Sequence, residues 1–186
     1  KPTLVRVLPF GLSQEEALRL AAALERGSEH PLAKAVLEAA ESLPQAQAEE
    51  VRALPGEGVE GRVEGRRLHL GGPALMERLG VPLPEEAKAL PEEGYTPLYL
   101  VEGTRLLAAF AVFDPPRPEA QEAVAALKAL GLKLVLLTGD HPAPARRVAE
   151  ALGIPEVLAG VRPEGKVEAI RRLQAEGRKV VFVGDG

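Results

Sequence analysis

Leu132-Lys133-Leu134-Val135-Leu136-Leu137 leads directly into Thr138-Gly139-Asp140, and Lys179-Val180-Val181-Phe182-Val183 leads in the same way into Gly184-Asp185-Gly186. Both read as short apolar strands with a carboxylate just past the carboxyl end. Continuous apolar runs of this length suit strands buried on both faces, as in parallel sheets covered by helices. The surrounding sequence agrees: helical patterns over 119–130, 144–152 and 165–176 alternate with strand patterns over 132–137, 156–159 and 179–183. Strict alternation predicts an α/β, Rossmann-like layer. Open parallel sheets bind ligands at the carboxyl ends of their strands. Two acidic tips there suit a hard cation such as magnesium (Mg2+), which takes oxygen ligands and bridges carboxylates to substrate phosphates. Either tip alone reads better as an ordinary strand-to-loop turn.

Upstream, Asp114-Pro115-Pro116-Arg117-Pro118 breaks the pattern. Its prolines fix φ and remove backbone donors, which predicts a hinge between domains at 1–112 and 113–186. The front half reads differently. Residues 3–8 alternate as a strand, ended by Pro9 and Gly11, and Ser13 with Glu16 makes a capping box for a helix that Gly27 stops. Leu20 and Leu24 lie one turn apart on that helix. Pro31 fits the first position of a second helix with an apolar stripe of Leu32, Val36, Leu37 and Ala40. Strand patterns at 48–53, 58–64 and 66–70, joined by glycine turns, predict an antiparallel meander. A helix near 74–79, a proline-rich loop with one helix over 81–93, and strands at 97–101 and 105–113 follow. The fold expected for this half is α+β, an antiparallel sheet with flanking helices. The rear half is then an incomplete α/β domain, with three strands.

Composition excludes several partner classes. With 23 basic and 27 acidic residues the net charge is -4, and aromatics are 3%, so neither an electrostatic footprint nor stacking platforms for nucleic acid are present. No apolar run approaches the roughly 18 residues that a membrane-spanning helix needs. The absence of cysteine removes disulfides and thiolate metal sites. His30, His69 and His141 lack zinc-ligand spacing.

Six segments taken together resemble the catalytic region of heavy-metal-transporting (type IB) P-type ATPases. Ser28-Glu29-His30-Pro31-Leu32-Ala33 is similar to the signature of that family's nucleotide-binding domain, and Glu25 falls where the family has a second adenine-contacting acid. Gly56-Glu57-Gly58-Val59-Glu60-Gly61 resembles its paired-glycine segment. Asp114-Pro115-Pro116-Arg117 resembles the family's hinge. Thr138-Gly139-Asp140, Pro163-Glu164-Gly165-Lys166 and Gly184-Asp185-Gly186 follow the order of its phosphorylation domain, a haloacid dehalogenase-like fold. The resemblance implies ATP and magnesium as cofactors, a cytoplasmic location on an integral membrane pump, and copper as the more similar cargo. It implies nucleotide contacts from Glu25, His30, Gly56 and Gly58, phosphoryl-handling roles for Thr138, Asp140 and Lys166, and a magnesium ligand in Asp185. Its implied partners are ATP or ADP and the remainder of the pump: membrane helices, an actuator domain and a phosphorylation segment.

The residue chemistry is compatible with each role, and each has a plainer alternative. His30 can stack on a base or donate from its ring, or simply cap a helix. Glycines at 56 and 58 admit a ligand close to the backbone, or serve a hairpin turn. Thr138 at a strand-to-helix turn offers its hydroxyl and nearby N–H groups to a phosphate. Lys166 can compensate phosphoryl charge, or be a solvated lysine on a helix. Three features depart from the family pattern. Gly72 stands where asparagine is common, His141 follows Thr-Gly-Asp in place of asparagine, and no Asp-Lys-Thr-Gly-Thr segment, the family's nucleophile, occurs. The expectation is a fragment that binds nucleotide with little or no turnover. Two other readings stay open: a soluble phosphatase of the same superfamily with residues 1–112 as a cap, and a nonenzymatic nucleotide-binding module.

Overall fold

The computed structural model describes residues 1–139 and 141–177, and the chain divides into two compact units, Lys1–Pro115 and Pro116–Gly186. The first unit holds β1 (Thr3–Pro9), α1 (Gln14–Glu25), α2 (Pro31–Ala39), β2 (Ala48–Leu54), β3 (Gly58–Val63), β4 (Arg66–Gly71), α3 (Pro73–Leu79), α4 (Glu85–Lys88), β5 (Thr96–Glu102) and β6 (Arg105–Phe113). Its strands form one antiparallel sheet in the order β1-β6-β5-β4-β3-β2. The expected α+β architecture is therefore observed.

Both faces of this sheet are covered. Leu20, Leu24 and Val36 from α1 and α2 pack with Val63, Leu68, Leu70, Leu100 and Phe110 on one side. On the other, Leu75 and Met76 of α3 and Leu90 pack with Tyr99, Val101 and Ala109. Double coverage explains why β5 and β6 are buried almost throughout, while β2, at the edge, is largely exposed. Tyr99 is buried with its hydroxyl donating to Ala87 O at 2.8 Å, so the phenol brings no unpaired polar group into the core.

Three local features differ from the sequence reading for identifiable reasons. The alternation of β1 is broken by a register shift between Leu4 and Arg6, which leaves Val5 50% exposed. The capping box is half formed: Ser13 Oγ accepts from Glu16 N at 3.0 Å, but the Glu16 carboxylate turns to Arg19. Arg19 also donates to Glu64 at 2.6 and 3.0 Å, tying α1 to the β3–β4 hairpin. That hairpin turns on Glu64 and Gly65, both at positive φ, as a two-residue turn with the twist of its strands requires.

The second unit contains α5 (Pro118–Ala129), β7 (Val135–Leu137), α6 (Pro142–Leu152), β8 (Glu156–Leu158) and α7 (Pro163–Ala175), with β7 and β8 paired in parallel. The strand expected at 132–137 is reduced to its last three residues. Leu132 is 51% exposed and makes no ladder bond that would extend the strand. The strand pattern at 179–183, and with it Asp185, lies outside the described residues, as does Asp140.

Candidate functional site

In the first unit the turn between α1 and α2 positions Glu25 and His30. Glu25 is the last residue of α1, and Gly27 at φ 93 reverses the chain behind it. His30 caps α2: its Nδ1 accepts from Leu32 N–H at 3.2 Å, and Pro31 takes the first helical position. The plainer alternative for His30 is thus realised, and it does not exclude the other. An Nδ1 that accepts a backbone N–H leaves the neutral ring's proton on Nε2, so the exposed imidazole presents a donor to its surroundings.

Glu25 is half-buried, and burial pushes its carboxyl pKa up to about 7. No cation among the described residues pairs with it, and the last turn of α1 carries no basic side chain. The negative end of the helix dipole acts in the same direction, against a carboxylate. Since the folded pKa exceeds the unfolded value near 4.5, the contribution to stability is complete below about pH 4.5 and is lost as pH rises through about 7. Replacing Glu25 by glutamine should therefore stabilise the chain at pH 8 by on the order of 1 kcal/mol, solvent screening at a half-buried site included, with no gain at pH 4. Denaturant melts at the two pH values measure it.

An apolar surface borders this corner. The β2–β3 register shifts between Glu49 and Arg52, where Glu50 adopts φ 53, so Glu50 and Val51 together oppose Gly61. Where a Cβ on Gly61 would sit, Leu24 Cδ2 and Val51 Cγ2 lie 2.9 and 3.1 Å away. The bulge thus brings Val51, 44% exposed, beside the end of α1. Sequence reading missed Val51, because a bulge has no hydropathy signature.

The paired glycines divide in role. Gly56, at φ 74, has open space around its missing Cβ. Gly58 does not: a Cβ there would lie 2.1 Å from Leu70 O and 2.7 Å from Gly71 Cα. Gly58 pairs with Gly71, whose own Cβ would meet Glu57 O at 2.2 Å. The absence of side chains at 58 and 71 serves the approach of β4 to the preceding turn, which is the plainer alternative for Gly58. The turn is further held by Gly72 N donating to Glu57 O at 3.2 Å and by Arg78 Nε donating to Glu57 Oε2 at 2.6 Å. Gly72 caps α3 without a side-chain hydrogen bond, in open space where an asparagine amide would fit.

Across the other face of the same strands, Glu60 accepts from Arg52 and from His69, the latter at 2.9 Å. Burial would raise the Glu60 pKa, but Arg52, His69 and Arg67 together hold it below the usual carboxylate range. His69 Nδ1 is buried without a partner in the described structure. This cluster was also missed, although the Glu64-Gly65 turn fixes the pairing: counting back two by two from a two-residue hairpin sets Glu60 opposite His69.

In the second unit, β7–β8 pairing continues past the strands: Thr138 N–H donates to Leu158 O and Val161 N–H donates to Thr138 O, each at 3.0 Å. Thr138 therefore sits at the carboxyl end of the sheet beside the segment that opens α7. Lys166 lies in the first turn of α7, half-buried, with no acceptor among the described residues. A lysine at the positive end of a helix is not there to favour the helix, so its charge is available to an anion. The N–H of Thr138 itself is committed to Leu158, and α6 begins at Pro142 with Pro144 also in its first turn, so two of the donors that a helix N-terminus normally presents are absent there. His141 caps that helix without a side-chain hydrogen bond.

Among the described residues no group of three histidines, aspartates or glutamates is placed to hold a metal ion. A groove of about 300 Å³ beside α1 and α2, lined by Arg19, Arg26 and Leu37, does not include Glu25 or His30. Another of about 810 Å³ beside β8 and α7 includes neither Thr138 nor Lys166. No helix of the described residues is long and apolar enough to cross a membrane.

Comparison with known proteins adds the following. A family profile described as haloacid dehalogenase-like hydrolase matches residues 3–186. Copper-transporting ATPase 1 of Rhizobium meliloti is 41% identical over 192 residues, covering 100% of this chain and 23% of that protein. Copper-exporting P-type ATPase B of Archaeoglobus fulgidus is 38% identical over 182 residues, covering 97% of this chain and 26% of that protein. A zinc-transporting PIB-type ATPase solved in its E2P state matches with a TM-score of 0.74 at 37% identity, over 95% of this chain and 29% of that one. The chain thus spans about a quarter of the length of the curated relatives it matches.

Proposed function

The chain belongs to the haloacid dehalogenase-like hydrolase family, and from that premise we propose that it is the ATP-handling portion of a membrane pump that exports a metal ion through an aspartyl phosphate. In this reading residues 1–112 are the nucleotide-binding domain and residues 113–186 belong to the phosphorylation domain, on the cytoplasmic side of the membrane. The observation that carries it is the α1–α2 turn, where an acid without a cation ends one helix and an imidazole with a committed tautomer caps the next.

The imidazole face of His30 stacks on adenine. Glu25 accepts from the exocyclic amine, and Val51 supplies an apolar edge. Gly56 and Gly72, which have open space around their backbones, border the path of the phosphates. Lys166 compensates charge on a transferring phosphoryl group, and the Thr138 hydroxyl orients it. Magnesium bound with ATP neutralises phosphate charge. Its family-implied ligand Asp185, like Asp140, lies outside the described residues, so no step is drawn through them. Copper is the cargo of this reading, on the names that the relatives carry.

Calorimetric titration of the purified chain with ATP tests the proposal. Saturable one-to-one heat without steady phosphate release is expected. Turnover of a generic aryl phosphate would favour a soluble phosphatase instead, and absence of nucleotide binding would overturn the reading.

A further inference from the structure

Arg78, in the last turn of α3, reaches back to the turn between β2 and β3, where its Nε donates to Glu57 Oε2 at 2.6 Å. Resting on the nucleotide site proposed above, we infer that the free end of the Arg78 guanidinium binds a phosphate of the nucleotide, while Glu57 holds the fork in place.

Two contacts join this side chain to the phosphate path. Glu57 stands between Gly56 and Gly58, and its backbone carbonyl accepts from Gly72 N–H at 3.2 Å. A single residue therefore ties Arg78 through its side chain and Gly72 through its backbone. Gly56 and Gly72 both have open space where a Cβ would stand. The guanidinium is thus anchored beside the two glycines that leave the backbone open to a ligand.

A plainer role for a basic residue in a last helical turn is to offset the negative end of the helix. The carbonyls at that end of α3 already have partners: Gly80 N–H donates to Glu77 O at 3.2 Å and Val81 N–H to Met76 O at 3.0 Å. Arg78 turns instead to a residue 21 positions upstream. Its side chain is half exposed, and an ion pair so open to water contributes little to stability. What the bond does is fix an orientation. A guanidinium carries five N–H donors in a planar fork. The bond to Glu57 uses Nε, and Nη1 and Nη2 donate to no acceptor among the described residues. Those two nitrogens suit phosphate oxygens, which arginine meets with parallel N–H bonds. Glu60, a second carboxylate that acts on Arg78, is itself engaged by Arg52 and His69 and does not compete for the free end.

Calorimetric titration of the purified chain with ATP, and with adenosine, which carries no phosphate, tests the contact. Arg78→Ala should weaken ATP binding by about tenfold, the scale of a hydrogen bond to a charged group, and leave adenosine unchanged. Its thermal midpoint should stay within about 3 °C of the wild type, as removal of an exposed pair implies. Glu57→Ala frees the guanidinium without removing it, and should weaken ATP by no more than about threefold through lost preorganisation. Equal losses of ATP and adenosine in Arg78→Ala overturn the inference, because the effect would then run through the base. Equal ATP losses in Glu57→Ala and Arg78→Ala overturn it as well, since the pair would then only brace the turn. Unchanged ATP affinity in Arg78→Ala removes the contact and leaves the nucleotide site standing. A wild-type chain that binds no ATP overturns that site, and this inference with it.

Discussion

Gly58→Ala should destabilise the first unit by about 3 kcal/mol or more, and Gly56→Ala, two residues away, by about 1 kcal/mol. The two positions look alike in sequence and differ in what surrounds them. A methyl group at 58 would stand 2.1 Å from Leu70 O, a backbone atom inside the β3–β4 ladder that has no rotamer to retreat into. Position 58 also has φ 151, which side chains rarely adopt, whereas the methyl at 56 would meet only solvent and the modest strain of φ 74. Thermal melts of the whole chain should show a loss of about 10 °C or more for Gly58→Ala, given the few degrees per kcal/mol usual for a unit of this size. Gly71→Ala should match it, because its Cβ faces Glu57 O across the same pair. Equal losses at 56 and 58 would mean that the strands do not approach as described.

His30 carries the second large effect, and two substitutions separate its parts. His30→Ala removes both the cap of α2 and the imidazole, so about 1 kcal/mol of stability and about tenfold in ATP affinity should be lost together. Asparagine is among the best capping residues, so His30→Asn should restore the melt while leaving nucleotide affinity low. If His30→Asn recovers both, capping is the whole of the residue's role and the base contact is withdrawn.

Much of the architecture was legible because its signals are local. Pro31 at the start of α2, the bounds of β6 at 105 and 113, and the meander through Glu64-Gly65 depend on caps, turns and hydropathy runs that a few neighbouring residues determine. Features set by packing have no such local signal. Whether Gly58 is empty for a ligand or for a neighbouring strand depends on Leu70 and Gly71, and periodicity carries no information about that distance. The half-burial of Glu25 comes from packing that a linear reading does not contain. The helical pattern from 144 starts two residues inside α6, since Pro142 also fits a first turn, where its missing N–H would be unbonded anyway. Thr138 and Lys166 were recognisable as residue types, but only the bonds between Thr138 and the Leu158–Val161 stretch bring them to one end of the sheet.

The pairing of β1 with β6 sets Thr3 opposite Phe113, so the unit's first and last strands lie side by side. A module whose two ends leave from one corner can be spliced into a loop of a host protein without prying that loop apart. Evolution or an engineer could transplant it as a cassette, with the host backbone resuming a single strand-spacing from where it left off.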